Sequence, residues 1–244
     1  MKELKDNFKK LQLPDLQENI EEYIKDAETK NLSRLRFLKQ ITKLEINHKQ
    51  ERKKLSRLSN AKIPIKYVME TFPFNKQPQL NKKRLLERYD SIDYISQKKN
   101  LVFIGPTGCG KTGLGTSYLT HAINNDYTGR FITFLDLMDE LNKSQADNSG
   151  KKIVLKYSKF DCLLIDELGY LEVSKAQVGL FFTLMQLRHK KTCTIITSNL
   201  GFKDWNDFLQ NPHLTASLVD RLTDGGHVIN MKKCESLRSA PEVD

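Results

Sequence analysis

The stretch "LVFIGPTGCGKTGLG", residues 101–115, decides the fold. Leu101 to Ile104 is an apolar, β-favouring run. Gly105-Pro106-Thr107-Gly108-Cys109-Gly110-Lys111-Thr112 then satisfies the phosphate-loop pattern G-x-x-x-x-G-K-[ST] in full. The arrangement predicts a buried strand, a tight loop and a helix from about Lys111 to Asn125. The loop glycines let the backbone curl so that N–H groups and the helix N-terminus face phosphate oxygens. In that geometry Lys111 reaches the β- and γ-phosphates and the Thr112 hydroxyl takes Mg²⁺. The expected ligand is a nucleoside triphosphate, held along Gly105 to Gly113. Gly113 and Gly115 fall in the first turns of the helix, each costing about 1 kcal/mol relative to Ala.

Outward from this stretch, apolar β-rich runs alternate with helical segments. "RFITFLD", "FDCLLID", "TCTIITSN" and "HVINM" repeat the strand character of "NLVFIG", and a helix is expected from about Ser174 to Lys190. Strict alternation predicts an α/β core with a parallel sheet covered by helices on both faces. Before it, residues 4 to about 60 read as helices. Leu4, Phe8 and Leu11 precede a new start at Pro14-Asp15, and Leu32, Leu35, Leu38, Ile41 and Leu44 form an expected apolar stripe. "AKIPIKYVMETFPFNKQPQ" carries three prolines and little periodicity, which marks a linker or a loop lying over the next domain. The expected organisation is a small all-α domain at 1–62, a linker at 63–80 and the nucleotide-binding domain at 81–240.

Composition narrows the class. The chain of 244 residues has 29% charged residues and no run near the length of a membrane span. Four cysteines stand far apart, without a C-x-x-C pair, and five histidines are scattered. Reduced thiols, no protein-held metal and no membrane partner are the expectation. The net charge of +10 is unevenly placed: Arg34 to Lys66 holds 11 Lys/Arg against Glu45 and Glu51. Such a field suits a polyanion, most simply nucleic acid, and a solvated helix face is the plainer alternative.

Further polar positions end the later strands. In "CLLIDELGY", Asp166 is expected to hold Mg²⁺ through water, and Glu167 to orient and activate the attacking water. A second carboxylate favours hydrolysis over transfer to a small acceptor, which argues against a small-molecule kinase. Asn199, after "TIITS", is either a turn former or a polar sensor beside the γ-phosphate. Arg221 in "SLVDRL" is either a surface Arg paired with an acid or an arginine finger acting on a neighbouring subunit's ATP. Arg238 in "KKCESLRS" is a candidate second γ-phosphate sensor. Cys109 fills space in the loop, with the thiol a candidate for alkylation. Phe202, Trp205 and Phe208 are expected in the core or at subunit contacts.

The order phosphate loop, "LLIDELGYL", "TIITSNL-F--W", "L-DRL", "HVI" and a terminal "S-R" resembles the IstB helper ATPases of bacterial insertion sequences. These are relatives of DnaC-type helicase loaders within the AAA+ ATPases. The resemblance spans nearly the whole chain, including "METFPFNKQPQL" and the opening helices. It implies an AAA+ core with little or no C-terminal lid and a location in the bacterial cytoplasm. It also implies ATP-dependent homo-oligomers on double-stranded DNA, with Arg221 completing the neighbour's site, and a partner transposase. A replicative helicase loader of the DnaC type is the alternative, and an ATP-binding switch without turnover is a further one. For DNA, two groups are expected to touch phosphates without reading bases: Arg52, Lys53, Lys54 and Arg57 first, then Lys151, Lys152 and Lys156.

Overall fold

A computed structural model describes residues 1–146, 150–169 and 173–238. The tail of the "LLIDELGYL" motif, Tyr170 and Leu171, and the last residues of the expected nucleotide-binding domain lie outside the described residues. The chain divides into two compact units, Met1–Ser56 and Arg57–Asp244.

The first unit is helical: α1 (Lys2–Lys10), α2 (Pro14–Thr29) and most of α3 (Arg34–Asn60). Pro14 opens α2, where its missing N–H costs nothing. No side chain of the preceding residue caps α2. The buried Glu45 carboxylate of α3 does so instead, accepting the Leu16 N–H at 3.0 Å. Leu16, Ile20 and Ile41 form the small core, with Phe8, Tyr23 and Phe37 packed on it. The expected stripe is corrected here: Leu35 and Leu38 are exposed, at 63% and 55%. Phe37, Ile41 and Glu45 make the inward face instead, because α2 and α1 cover one side of α3 only.

The second unit holds a five-stranded, all-parallel sheet in the order β2-β3-β4-β1-β5. The strands are β1 (Leu101–Ile104), β2 (Gly129–Thr133), β3 (Cys162–Leu168), β4 (Cys193–Ser198) and β5 (His227–Asn230). All residues of β1 and β4 are buried, as continuous apolar runs between two helical layers must be. Around them lie α4 (Lys82–Ser91), α5 (Asp93–Ser96), α6 (Lys111–Asn124), α7 (Phe134–Ala146), α8 (Gly150–Ser158), α9 (Lys175–Arg188), α10 (Trp205–Leu209) and α11 (Pro212–Thr223). One apolar cluster gathers Phe134, Leu137, Phe181 and Trp205, and another Tyr94, Leu114, Tyr118 and Leu119. Each such fully buried side chain contributes roughly 1.5–3 kcal/mol.

Every expected strand is present, and α4 and α5 are additions that the apolar pattern of residues 81–98 did not announce. The proline-rich segment is not free. Ala61 and Met69 are buried, the Phe131 N–H donates to the Ala61 carbonyl at 2.8 Å, and short 3₁₀ turns form at Met69–Thr71 and Phe74–Lys76.

Candidate nucleotide site

The phosphate loop leaves β1 at Gly105, whose N–H donates to the Ser198 carbonyl at the end of β4 at 3.1 Å. Gly108 and Gly110 have φ of +81° and +96°, conformations that glycine adopts without strain, and Gly110 leads directly into α6. Two segments distant in sequence press on these glycines. A Cβ at Gly108 would lie 2.5 Å from Ser236 Oγ, and one at Gly110 would lie 2.6 Å from the Phe72 ring. The Leu237 N–H donates to the Gly108 carbonyl at 2.9 Å. Gln77, fully buried, clasps the same tail, donating to the Glu235 carbonyl at 2.7 Å and accepting its N–H at 3.2 Å.

These segments enclose a cavity of about 470 Å³. Thr107, Gly108, Gly110, Lys111, Thr112 and Gly113 line it from the loop and α6. Tyr67, Val68, Phe72 and Pro73 form an apolar wall, while Glu167, Thr197, Asn199 and Arg238 bring polar groups. At Gly113 a Cβ would make only ordinary contact with the Tyr67 ring, 3.4 Å away, so space does not demand glycine there. Gly115 does have a spatial reason, since its Cβ would come within 2.9 Å of Leu164 on the sheet. The helix propensity lost at Gly115 is exchanged for close approach.

Lys111 Nζ donates to the carbonyls of Gly105 and Pro106, both at 2.8 Å, and burial pulls its pKa below the usual lysine range. Thr112 Oγ1 donates to Asp166, 2.9 Å from Oδ1 and 3.1 Å from Oδ2. On the other side the Thr197 hydroxyl also donates to Asp166 Oδ1, and accepts the Glu167 N–H at 2.9 Å. Burial raises the Asp166 pKa, against the hydrogen bonds from Thr197 and Thr112 that favour the ionised form.

Glu167 is exposed and sits at φ +60°, within the register shift between Ile165 and Leu168 where β3 meets β4. A non-glycine residue held left-handed is backbone strain of order 1–3 kcal/mol, concentrated where a side chain is re-aimed. Here the bulge turns Glu167 into the cavity, while Asp166 points at Thr112. Asn199 Oδ1 is buried and has no hydrogen-bond partner among the described residues, although it lines the cavity.

The donor set suits a magnesium nucleoside triphosphate. A glycine cradle with no room for Cβ atoms, a desolvated ammonium and an unpartnered buried amide oxygen accompany a hydroxyl–carboxylate pair of hard oxygens. Thr197 is the residue that sequence reasoning missed. Its position, one before Ser198 at a strand's carboxyl end and opposite Asp166, was the available signal.

Not every expected residue lines this cavity. Gly105 and Pro106 act through their carbonyls. Cys109 is buried with its thiol pushed up by burial, which disfavours the alkylation alternative beside the space-filling one. Arg221, in the last turn of α11, is outside the cavity lining and donates to the Ser217 carbonyl at 3.2 Å and to the Ser217 hydroxyl. It has no acid partner among the described residues, so the surface-pair alternative is set aside. Of the expected DNA contacts, Arg52, Lys53, Lys151 and Lys152 are exposed and Lys54 is half-buried. Arg57 forms an ion pair with Asp126, and Lys156 bonds Glu140 at 3.1 Å, so neither charge is fully open to a phosphate.

Comparison with known proteins adds a second line of observation. A family model described as "IstB-like ATP binding protein" matches residues 6–242. A protein of insertion sequence IS232 from Bacillus thuringiensis subsp. berliner, described as ATP-binding, is 30% identical over 94% of this chain and 91% of its own length. Its counterpart in insertion sequence IS5376 of Geobacillus stearothermophilus is also 30% identical, over 91% and 88%. Among solved structures, the DnaC helicase loader superposes with a TM-score of 0.52 at 22% identity, covering 62% of this chain and 90% of that one. AMPPCP-bound DnaA from Aquifex aeolicus gives 0.57 at 18%, covering 69% and 51%. These likenesses carry the fold alone, a parallel sheet between helical layers shared with both proteins.

Proposed function

Because the chain belongs to the family of IstB-like ATP binding proteins, we propose that it is a Mg²⁺-dependent ATPase that assembles on duplex DNA and assists a partner transposase. The single observation that carries the catalytic part is the polar chain Thr112–Asp166–Thr197–Glu167 beside the phosphate loop. It supports a reading in which one carboxylate serves a cation and a second one, on a strained backbone, serves the attacking water.

In this reading Lys111 leaves the loop carbonyls for the β- and γ-phosphates. Thr112 and Asp166 hold Mg²⁺, which when bound supplies the positive charge that neutralises the phosphates. Glu167 takes the proton of the lytic water, and Asn199 orients that water through its unpartnered oxygen, which accepts a water proton, or the γ-phosphate through its amide N–H. Tyr67, Phe72 and Pro73 offer an apolar wall for the base. Arg238, at the rim, is the second phosphate sensor. Arg221, away from its own cavity, serves a neighbour's site, which makes activity depend on assembly.

The basic N-terminal helical domain, residues 1–62, is proposed to bind DNA phosphates through Arg52, Lys53 and Lys54. Residues 63–80 link it to the AAA+ domain at 81–240, where Lys151 and Lys152 on α8 are the second contact. The site of action is the bacterial cytoplasm, and the relatives' origin in insertion sequences supports the transposition reading over helicase loading.

Steady-state ATP hydrolysis with no DNA, duplex and single strands, with particle mass followed in parallel, tests the proposal. Duplex-stimulated turnover with ATP-dependent oligomers is expected. Stimulation by single strands alone would favour the helicase-loader alternative, and a monomer indifferent to both would refute assembly-linked catalysis.

A further inference from the structure

The sheet ends at β5, and what faces its outer side among the described residues is a groove. The His227 N–H donates to the Asn100 carbonyl at 2.8 Å and the Met231 N–H to the Ile104 carbonyl at 2.6 Å. Residues of that parity turn their main chain toward β1, so Val228 and Asn230, both exposed, direct theirs away from it. Across the groove stands α4 with Arg84 and Arg88, while Leu85 and Ile229 contribute an apolar floor. The volume is about 300 Å³.

No acidic side chain lines this groove among the described residues. The ion pair on α4, Lys83 with Glu87 at 3.9 Å, involves neither guanidinium. The local potential registers on His227, whose pKa is pushed down to about 4 by burial first and then by Arg88, Lys99 and Arg84. A cationic groove between an edge strand and a helix has three recognition elements: outward main-chain groups two residues apart, an apolar floor and two guanidinia without an acidic partner among the described residues, that of Arg88 resting on the Tyr118 hydroxyl. A lone phosphate uses only the last. An extended acidic peptide uses all three, with its backbone on the strand and alternate side chains in the groove.

We propose that the groove between β5 and α4 binds an extended, acidic segment of a partner protein. The segment adds as a strand to the outer edge of β5 and sets its carboxylates on Arg84 and Arg88. The inference does not depend on the nucleotide reading, since none of these residues lines that cavity.

The test pans the full-length protein against a displayed library of random linear dodecapeptides. Selected sequences are then made as fluorescent peptides and titrated against the wild-type chain, Arg84→Glu, the double variant Arg84→Glu/Arg88→Glu, and Val228→Pro. The last removes one outward N–H and leaves the ladder to β1 intact. Expected are peptides with Asp or Glu alternating with β-branched residues, whose affinity falls about tenfold or more in each variant. ATP turnover of Arg84→Glu should equal that of wild type, and because Arg84 is exposed, its substitution keeps the test valid if Val228→Pro misfolds. Recovery of no peptide above a protein-free control, of peptides without an acidic pattern, or of peptides indifferent to Arg84→Glu would overturn the proposal. So would displacement of the peptides by a single-stranded oligonucleotide at equal concentration, which would mark the groove as a nucleic-acid site.

Discussion

Thr197 on β4 donates its hydroxyl proton to Asp166 on β3 while accepting the Glu167 amide at 2.9 Å, so one buried side chain sets both acidic groups of the site. Thr197→Val keeps the shape and removes both bonds. It leaves the Glu167 N–H unsatisfied, a loss of about 1–3 kcal/mol. ATP turnover should fall by more than about tenfold with a smaller change in nucleotide affinity, and Thr197→Ser should restore most of it. Equal loss in Thr197→Ser would mean that the methyl group, not the hydroxyl, matters.

Glu167→Gln should reduce turnover by roughly 10²–10⁴, the usual worth of a general base, and leave nucleotide binding nearly intact. Fluorescent-nucleotide titration beside phosphate release reads both quantities. Weakened binding in the same proportion would assign Glu167 to the ground state instead.

Asp166→Asn should abolish turnover and yet stabilise the nucleotide-free protein. Burial raises this carboxyl's pKa above its ordinary 3.8, so its ionised form opposes folding. The group's contribution to stability is therefore largest below the unfolded value and is lost as pH rises through the folded one. The melting temperature of the variant should exceed that of wild type at neutral pH, by roughly 2–4 °C for each kcal/mol relieved. The gap should close in acid, as melting curves across pH would record.

His227 acts in the opposite sense. Its pKa is depressed from 6.5 to about 4, so the fold favours the neutral ring. That stability is complete above the unfolded value and is lost as pH falls from 6.5 toward about 4. Urea midpoints of His227→Gln should vary less across this window than those of wild type. Parallel curves would show that other groups control the acid sensitivity.

Arg221→Ala and Glu167→Gln, each nearly inactive alone, should regain turnover when mixed if Arg221 completes a neighbour's site. Loss of an arginine finger costs roughly 10³–10⁵ where it has been measured in other systems. A mixture no better than its components would return Arg221 to its bond with Ser217.

Much of this was legible in the sequence. A strand flanked on both faces needs a continuous apolar run, and each of "LVFI", "CLLI" and "TIIT" is one. Lys111, Thr112, Asp166, Glu167 and Asn199 were legible because they sit where such runs end. Less legible was whatever depends on who packs against whom. Leu35 and Leu38 keep helical spacing, but α3 has partners on one side, so the spacing could not say which stripe turns inward. Gly115 reads as a weak helix former until the approach of Leu164 on the sheet supplies the reason for it. Glu45 read as a charge within a basic run, and its role as the cap of α2 is a contact across 29 residues.

The clasp of Gln77 on Glu235, 158 residues apart, has a temporal consequence. The ribosome delivers the phosphate loop long before it delivers Ser236 and Leu237, which close over Gly108 and Gly110. A nascent chain therefore carries the loop without the enclosed cavity until residues 235–237 have followed it out of the ribosome.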